Sequence, residues 1–561
     1  MLNDGYKGAH VNALNGSLKT VLDHHSGDIS FLPCEKLGNI LFLSALKGIA
    51  METEIELKFF VSPEFSETLR AKISETKVLQ HSCRDLGNTY FDTADNWLRQ
   101  HDIGLRIRRF DDVFVQTVKT AGRVVAGLHQ RPEYNAEHTN NEPDLSLHPS
   151  DIWPSGKDVA TLQSELVPLF STNFTREQWL IGMPDGSQVE VAFDQGMVVA
   201  QGEDGEERQE PICEVELELK SGQTDALFTL ARSFCEQGGM RLGNLSKAAK
   251  GYRLATGYTG DEVKPLSLVD SNKTDTVEYC LINSLEHALS HWHYHEQIYS
   301  ERDSVEALRE ISNAIRFIRQ TLTIFGGVVP RRASAILRQE LKWLEEELVW
   351  LDEHAHLEEL LDDKGNVLRK LDARKFLVSE LTQQLEELPS REEMLTLLSS
   401  ARYTGLLLDL SRWILARGWQ PFLDEKAREK MASNIMPFSV TQLDRTWAEL
   451  MEAFPAERDL SAQEYVDQRY RLLRNLYTGI GFASLYNFDE RNSFRLPWAD
   501  LVHGIDDLLM LNHLLPLVDM LENEEKEQLE RWLHRQERSI LHAMDQTRAI
   551  SVETQPYWRE K

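Results

Sequence analysis

Cysteine is scarce in this 561-residue chain. The five that occur, Cys34, Cys83, Cys213, Cys235 and Cys280, are scattered and form no CxxC pair. The sequence therefore offers neither a disulfide framework nor a thiolate metal site, and its cysteine usage fits a reducing compartment. No run of ~18 apolar residues occurs, the length a membrane-spanning helix requires. The nearest approach, ILFLSALKGIA at 40–50, is short and interrupted by Lys47. It lies behind mixed charges, whereas a signal peptide places its apolar run directly after a basic N-terminus. These absences point to a cytoplasmic protein with no membrane partner. Positive charge is also in short supply: 61 Lys+Arg against 90 Asp+Glu leave a net charge of −29. That balance excludes a general nucleic-acid binder, while local basic clusters can still hold an anionic ligand.

What is present falls into blocks. The length suggests two to four domains, and 41% apolar residues suffice for real cores. Residues 1–50 show little periodicity and read as a disordered N-terminal extension. A clean strand opens at Met51, and residues 51–258 are rich in alternating strands with helical patterns near 64–77, 158–170 and 223–238. Residues 259–274 read as a linker. From 275 to 561 the pattern is long helical periodicity, rich in Leu, Glu and Arg, expected to form an α-helical bundle.

The strands carry the chemistry. In METEIELKF (51–59), Glu52, Glu54, Glu56 and Lys58 take one parity, while Thr53, Ile55, Leu57 and Phe59 take the other. Each parity is one face of a sheet. EVELELK (214–220) repeats the arrangement with Glu214, Glu216, Glu218 and Lys220. Between them, Arg106 and Arg108 alternate with Leu105 and Ile107, and Glu190 and Asp194 alternate with Val189, Val191 and Phe193. Any one such strand is ordinarily a sheet with a wet face. As a set, acidic strands are segregated from basic ones. Neighbouring carboxylates raise one another's pKa and cost stability, a cost divalent cations remove. Hard oxygen ligands suit Mg²⁺ or Mn²⁺. The basic strands then suit a polyanion bridging to those metals, the combination used in phosphoryl chemistry. No GxxxxGK[ST] loop is present, so phosphates would be held by side chains projecting into a closed barrel.

Glu54-Ile-Glu56-Leu-Lys58 resembles the ExExK signature of CYTH-type triphosphate tunnel metalloenzymes. The order of later elements is similar as well: TYFDT (89–93), GLRIRR, VKT with Lys119, GLHQRPE with Arg131 and Glu133, VAFD with Asp194, EVELE with Glu216 and Glu218, and LSKAAKGY with Lys247 and Lys250. The resemblance covers about 51–255. It implies an α+β chain that opens with an eight-stranded antiparallel tunnel. Glu54, Glu56, Asp194, Glu216 and Glu218 would hold one or two Mg²⁺ or Mn²⁺ ions. Lys58, Arg106, Arg108, Lys119, Arg131 and Lys247 would bind substrate phosphates. Glu54, Glu56, Lys58, Glu216 and Glu218 would form the catalytic set.

The helical half resembles a CHAD domain through EALREISNAIRFIRQTLTIFGG (306–327) and RYRLLRNLYTGIGF (469–482). CHAD domains are associated with polyphosphate. Here Glu306 and Asn313 replace basic positions of the first motif, and Asn475 and Gly481 replace those of the second, which weakens that expectation. The function the resemblance implies is hydrolysis of inorganic triphosphate to diphosphate and phosphate. The alternatives are a class IV adenylyl cyclase, a thiamine triphosphatase, or a polyphosphate-binding or interaction module without catalysis. One further signal stands apart. His287, His291 and His295 share a helical face in EHALSHWHYHE (286–296). Such spacing can bind Zn²⁺, and it equally fits histidines that only hydrogen-bond near a domain junction.

Overall fold

The structure is a computed structural model that describes residues 49–125, 127–202 and 205–559. Apart from the start of the first strand, residues 1–50 and the expectation made for them lie outside these. Ten strands lead the chain: β1 Ile49–Val61, β2 Val78–Thr93, β3 Gly104–Phe110, β4 Val113–Lys119, β5 Arg123–Val125, β6 Leu128–His138, β7 Leu166–Gly182, β8 Gln188–Gln201, β9 Glu207–Ser221 and β10 Met240–Leu242. They run in the order β10-β1-β9-β8-β7-β2-β3-β4-β6-β5, and a further β1–β6 pairing joins the two sides. Eight strands thus form a closed antiparallel ring, with β10 and β5 as flaps on β1 and β6. The chain bears out the expected α+β class, an antiparallel tunnel followed by helices.

The barrel is built with its core outside. Leu57 and Phe59 of β1, Val191 and Phe193 of β8, and Val215 and Leu217 of β9 are buried on the outer face. They pack under two helices, α1 (Ser66–Ser74) and α4 (Asp225–Phe234), through Leu69, Ile73, Leu227 and Phe234. On the far side Leu105, Ile107 and Val118 are covered by Leu98 of α2 (Trp97–Gln100) and Leu162 of α3 (Val159–Glu165). With the apolar parity so used, strict alternation sends the polar parity into the lumen.

A last helix of this half, α5 (Lys247–Ala255), is capped by Ser246, whose hydroxyl accepts from the Ala249 amide. It lies against the β7 side so closely that a Cβ on Gly251 would fall 2.0 Å from the Phe170 ring. The Tyr252 hydroxyl donates to buried Asp92 at 2.8 Å. These contacts fix Lys247, in the first turn, over the lumen.

The remainder is helical: α6 Val277–Glu301, α7 Val305–Ile324, α8 Ala335–Glu347, α9 Trp350–Gly365, α10 Arg374–Glu386, α11 Arg391–Leu398, α12 Ala401–Leu415, α13 Glu425–Ala432, α14 Ile435–Ala453, α15 Ala462–Asp467, α16 Arg469–Gly481, α17 Phe488–Asn512, α18 Leu515–Val518 and α19 Asn523–Glu553. Their apolar stripes meet in one large cluster that includes Trp292, Phe317, Tyr403, Trp419 and Trp498. The stretch Phe488–Val518 is long and apolar enough to cross a membrane, and half of its apolar 18-residue window is buried inside the protein. The two halves touch through α12. Thr404 donates to the Met240 carbonyl at 2.7 Å, and Leu408 enters the barrel's outer core.

Candidate active site

Side chains of one parity from all eight ring strands meet in a cavity of about 420 Å³. β1 contributes Glu54, Glu56 and Lys58; β9 contributes Glu216, Glu218 and Lys220; β8 contributes Glu190 and β7 Arg176. From the other side come Tyr90 of β2, Arg106 and Arg108 of β3, Lys119 of β4, and His129, Arg131 and Glu133 of β6, with Lys247 of α5 above them. Of the residues singled out in the sequence, Glu54, Glu56, Lys58, Arg106, Arg108, Lys119, Arg131, Glu216, Glu218 and Lys247 are all brought to this lumen. Asp194 is fully buried and sits behind the lining.

The register explains how charge is distributed. Glu56 lies opposite Glu218, and Glu218 opposite Glu190, so three carboxylates form a row across β1, β9 and β8. One step deeper Lys58 faces Glu216, and deeper again Asp194 faces Glu214.

The deep layer is neutralised from within. Lys58 Nζ reaches Glu214 at 3.0 Å and Glu216 at 2.5 Å. Lys247 meets Glu214, Asp194 at 2.6 Å and Glu216 at 3.1 Å. Arg176 holds Asp194 by two hydrogen bonds, Nε at 2.7 Å and Nη2 at 2.6 Å, and Nη2 also donates to Glu216 at 2.7 Å. Burial alone would push Glu216 up. Lys247, Lys58 and Arg176 outweigh it and hold the carboxyl well below the usual carboxylate range.

The outer layer is not balanced. Burial, then Glu216 and Glu54, push Glu56 up to about 8, and among the described residues it makes no hydrogen bond or ion pair. Burial also pushes Glu218 up to about 7, with Glu54 and Glu190 adding to it and Lys220, 2.8 Å away, opposing. Glu54 is paired with Lys119, which also reaches Glu133 at 2.9 Å. On the opposite wall burial and the neighbouring Arg106 and Arg176 lower Arg108 to about 9. Arg108 donates to the Asn88 amide oxygen at 2.9 Å, and no ion pair is formed among the described residues. Arg131 is spent differently, its guanidinium donating to the carbonyls of Thr120 at 2.5 Å and Asp102 at 2.6 Å.

Two carboxylate groups can therefore be weighed as metal sites. Asp194, Glu214 and Glu216 offer oxygens within 4.8 Å of one another and form a buried acidic cluster able to hold an ion. Lys58, Lys247 and Arg176 already engage all three carboxylates, leaving Glu214 Oε2 as the oxygen without a partner among the described residues. Glu54, Glu56, Glu190 and Glu218 all face the lumen and share only two lysines: Lys119 pairs with Glu54, Lys220 with Glu218 and, at 3.7 Å, with Glu190, and Glu56 forms no ion pair among the described residues. An all-oxygen set of this kind fits a hard divalent cation.

Sequence reasoning did not find Arg176. It lies in FTREQWL, where consecutive polar residues hide the strand parity, and only the β7–β8 register shows it opposite Asp194. His129 was missed too, inside a motif noted for Arg131. Burial lowers its imidazole to about 4, so it stands neutral in the wall. The helical histidines are individually engaged. His287 bonds the Ser267 carbonyl at 2.9 Å, His291 the Glu310 carboxylate at 2.8 Å, and His295 the His291 carbonyl at 2.8 Å.

Residues 52–252 match the CYTH domain and residues 283–514 the CHAD domain. The chain carries a CYTH domain followed by a CHAD domain. A curated relative named inorganic triphosphatase, from Haemophilus influenzae, is 39% identical over 211 residues, which are 37% of this chain. The chain spans just over half of that relative, 56% of its length. Among solved structures, the CHAD domain from the plant Ricinus communis is 18% identical, covering 53% of this chain and 98% of that one with a TM-score of 0.40. A candidate adenylyl cyclase from Hippeastrum, described as having a dominant triphosphatase activity, is also 18% identical. It covers 36% of this chain and 96% of that one with a TM-score of 0.26.

Proposed function

We propose that the CYTH tunnel hydrolyses inorganic triphosphate to diphosphate and phosphate with the aid of Mg²⁺ or Mn²⁺. The observation that carries this reading is the facing pair of unbalanced charges. Among the described residues Glu56 forms no ion pair with a cation and Arg108 none with an anion, and both line the same 420 Å³ lumen. A divalent cation with a phosphate chain satisfies both at once. Glu54, Glu56 and Glu218 would hold the cation, with Glu190 beside them. The bound cation supplies Lewis-acid polarisation of a phosphoryl oxygen and neutralises charge developing on it.

The protein's own residues do the rest. Arg106, Arg108 and Lys119 line the lumen and would donate to a polyphosphate held there, their positive charge lowering the cost of crowding its oxygens. Lys58, Lys247 and Arg176 hold the deep carboxylates in place, and their charge keeps Asp194 and Glu216 ionised. Position and charge are what phosphoryl transfer chiefly asks of a protein. The lining is mostly charged, with Tyr90 and His129 as its aromatic side chains. Tyr90 is itself engaged: burial would raise its hydroxyl's pKa, but Arg106, Lys247 and Arg108 together lower it. This favours a phosphate-only chain over a substrate bearing a base or thiazole. A panel of tripolyphosphate, thiamine triphosphate and ATP, read for phosphate and for cyclic AMP, tests the choice. Faster turnover of either organic triphosphate, or cyclic AMP from ATP, overturns it.

A second reading concerns the CHAD half alone. A cavity of about 860 Å³ there is lined by Arg316, Arg319, Arg331, Arg338 and Arg474, which favours an anionic polymer. Glu345 opposes it by pairing with Arg316 and Arg319. Retention of long-chain polyphosphate by the full chain, lost on Arg331→Gln with Arg338→Gln, would support binding; no retention would remove it.

A further inference from the structure

Behind α16, on a face separate from that arginine-lined cavity, lies a second and much smaller space of about 20 Å³. Asn475 of α16, Arg491, Arg495 and Trp498 of α17, and Tyr557 after α19 line it. Arg491 is 2% exposed and Trp498 fully buried. Arg491 uses Nε on the Gly479 carbonyl at 3.3 Å and Nη1 on Asn492 at 3.1 Å. Its Nη2, the Nε of Arg495 and the indole Nε1 of Trp498 have no acceptor among the described residues.

No carboxylate among the described residues acts on either guanidinium. Burial lowers the pKa of both; Tyr557 is the group that opposes it, and Arg495 lowers Arg491 further. Arginine stays charged in proteins, so both carry positive charge here. Leaving such charges and donors unpaired in a core is costly. Three donors without an acceptor among the described residues, two of them on charged guanidinium groups, are the complement of an anion. A space of 20 Å³ is close to that of one water-sized occupant, which excludes phosphate and longer chains.

We propose that this cavity is a binding site for one small inorganic anion of chloride size. The ion would sit between Arg491, Arg495 and Trp498 and fasten the C-terminal segment to α16 and α17. That segment is already held to α17 by Tyr557 against Phe494, with ring centroids 5.6 Å apart, and to α14 by the Trp558 indole on Asp444 at 2.9 Å.

Thermal unfolding of the full chain in potassium gluconate, with chloride or bromide replacing gluconate at constant ionic strength, tests the proposal. Halide should raise the midpoint by about 2 °C and saturate, as mass action on a native-state site requires. Arg495→Gln should fold, keep its tunnel activity and lose the halide response. A bromide-soaked crystal should show an anomalous peak between Arg491 and Arg495. Equal halide responses in the parent and Arg495→Gln, or no bromide peak, would overturn the site. A peak seen only in a chain lacking Glu560 and Lys561 would overturn it too, by assigning the donors to the chain's own carboxylate.

Discussion

Glu56 on β1 and Glu218 on β9 are direct cross-strand partners, and Glu190 on β8 extends them into a row of three carboxylates. Like charges placed so repel. Burial, with Glu216 and Glu54 adding to it, pushes Glu56 up to about 8 from an ordinary 4.5, so folding favours its protonated form. The stability that form contributes is present at low pH and is lost as pH rises from about 4.5 through 8. In EDTA, Glu56→Gln should therefore be more stable than the parent at pH 8.5, by ~2 kcal/mol or more, and nearly equal to it at pH 4.5. Chemical denaturation at the two pH values checks this. A constant difference between them would show that the repulsion is not borne by Glu56.

The deep layer should behave in the opposite sense. Arg176→Met leaves Asp194 and Glu216 short of their shared cation inside the barrel, and breaking a buried pair from one side costs about 3–5 kcal/mol. Arg412→Ala removes a half-exposed pair with Asp225 at the junction of the two halves, and should cost less than ~1 kcal/mol. Denaturant midpoints of the two variants, at unchanged slope, give the comparison.

Gly251 offers a test of how α5 is positioned. An alanine there would drive a methyl group into the Phe170 ring. The helix must shift, at about 1–3 kcal/mol for overpacking, and Lys247 shifts with it. Gly251→Ala should lower both stability and triphosphate turnover. Turnover unchanged in a destabilised variant would mean that Lys247 tolerates the displacement.

Arg108 and Glu56 should separate in kinetics. Arg108→Gln removes a phosphate donor and is expected to raise KM ~10–100-fold, while the Mg²⁺ concentration for half-maximal activity stays put. Glu56→Gln should move that Mg²⁺ concentration upward. Matched shifts in both variants would argue against separate cation and phosphate walls.

How much of this was legible beforehand follows from parity. β1, β3, β4, β8 and β9 alternate cleanly because one face is buried under helices and the other is a charged lumen. The paired acidic strands and separate basic strands could therefore be read directly. β2 and β7 could not. Val78–Asp85 of β2 is almost wholly exposed and pairs in long register with β7, so neither side is selected for apolar residues and no period appears. The same blur hid Arg176 and let 158–170 read as helix where β7 already begins at Leu166. Asp194 shares the acidic parity and was read as a ligand. Its deeper position depends on cross-strand register with Arg176, a long-range pairing that local pattern does not encode. In the helical half, Glu425–Ala432 and the first turns of α14 formed in a stretch with weak periodicity, helped by Asp424 and Asn434 as N-caps.

The central claim is that the carboxylate row holds a divalent cation for cleavage of an inorganic phosphate chain. The most direct measurement is phosphate release from tripolyphosphate by the full chain in Mg²⁺, set beside the same assay in EDTA and with Glu56→Ala, Glu218→Ala. The account predicts release in Mg²⁺, none in EDTA, and a loss of ~100-fold or more in the variant. Undiminished release in EDTA or in the folded variant would contradict it.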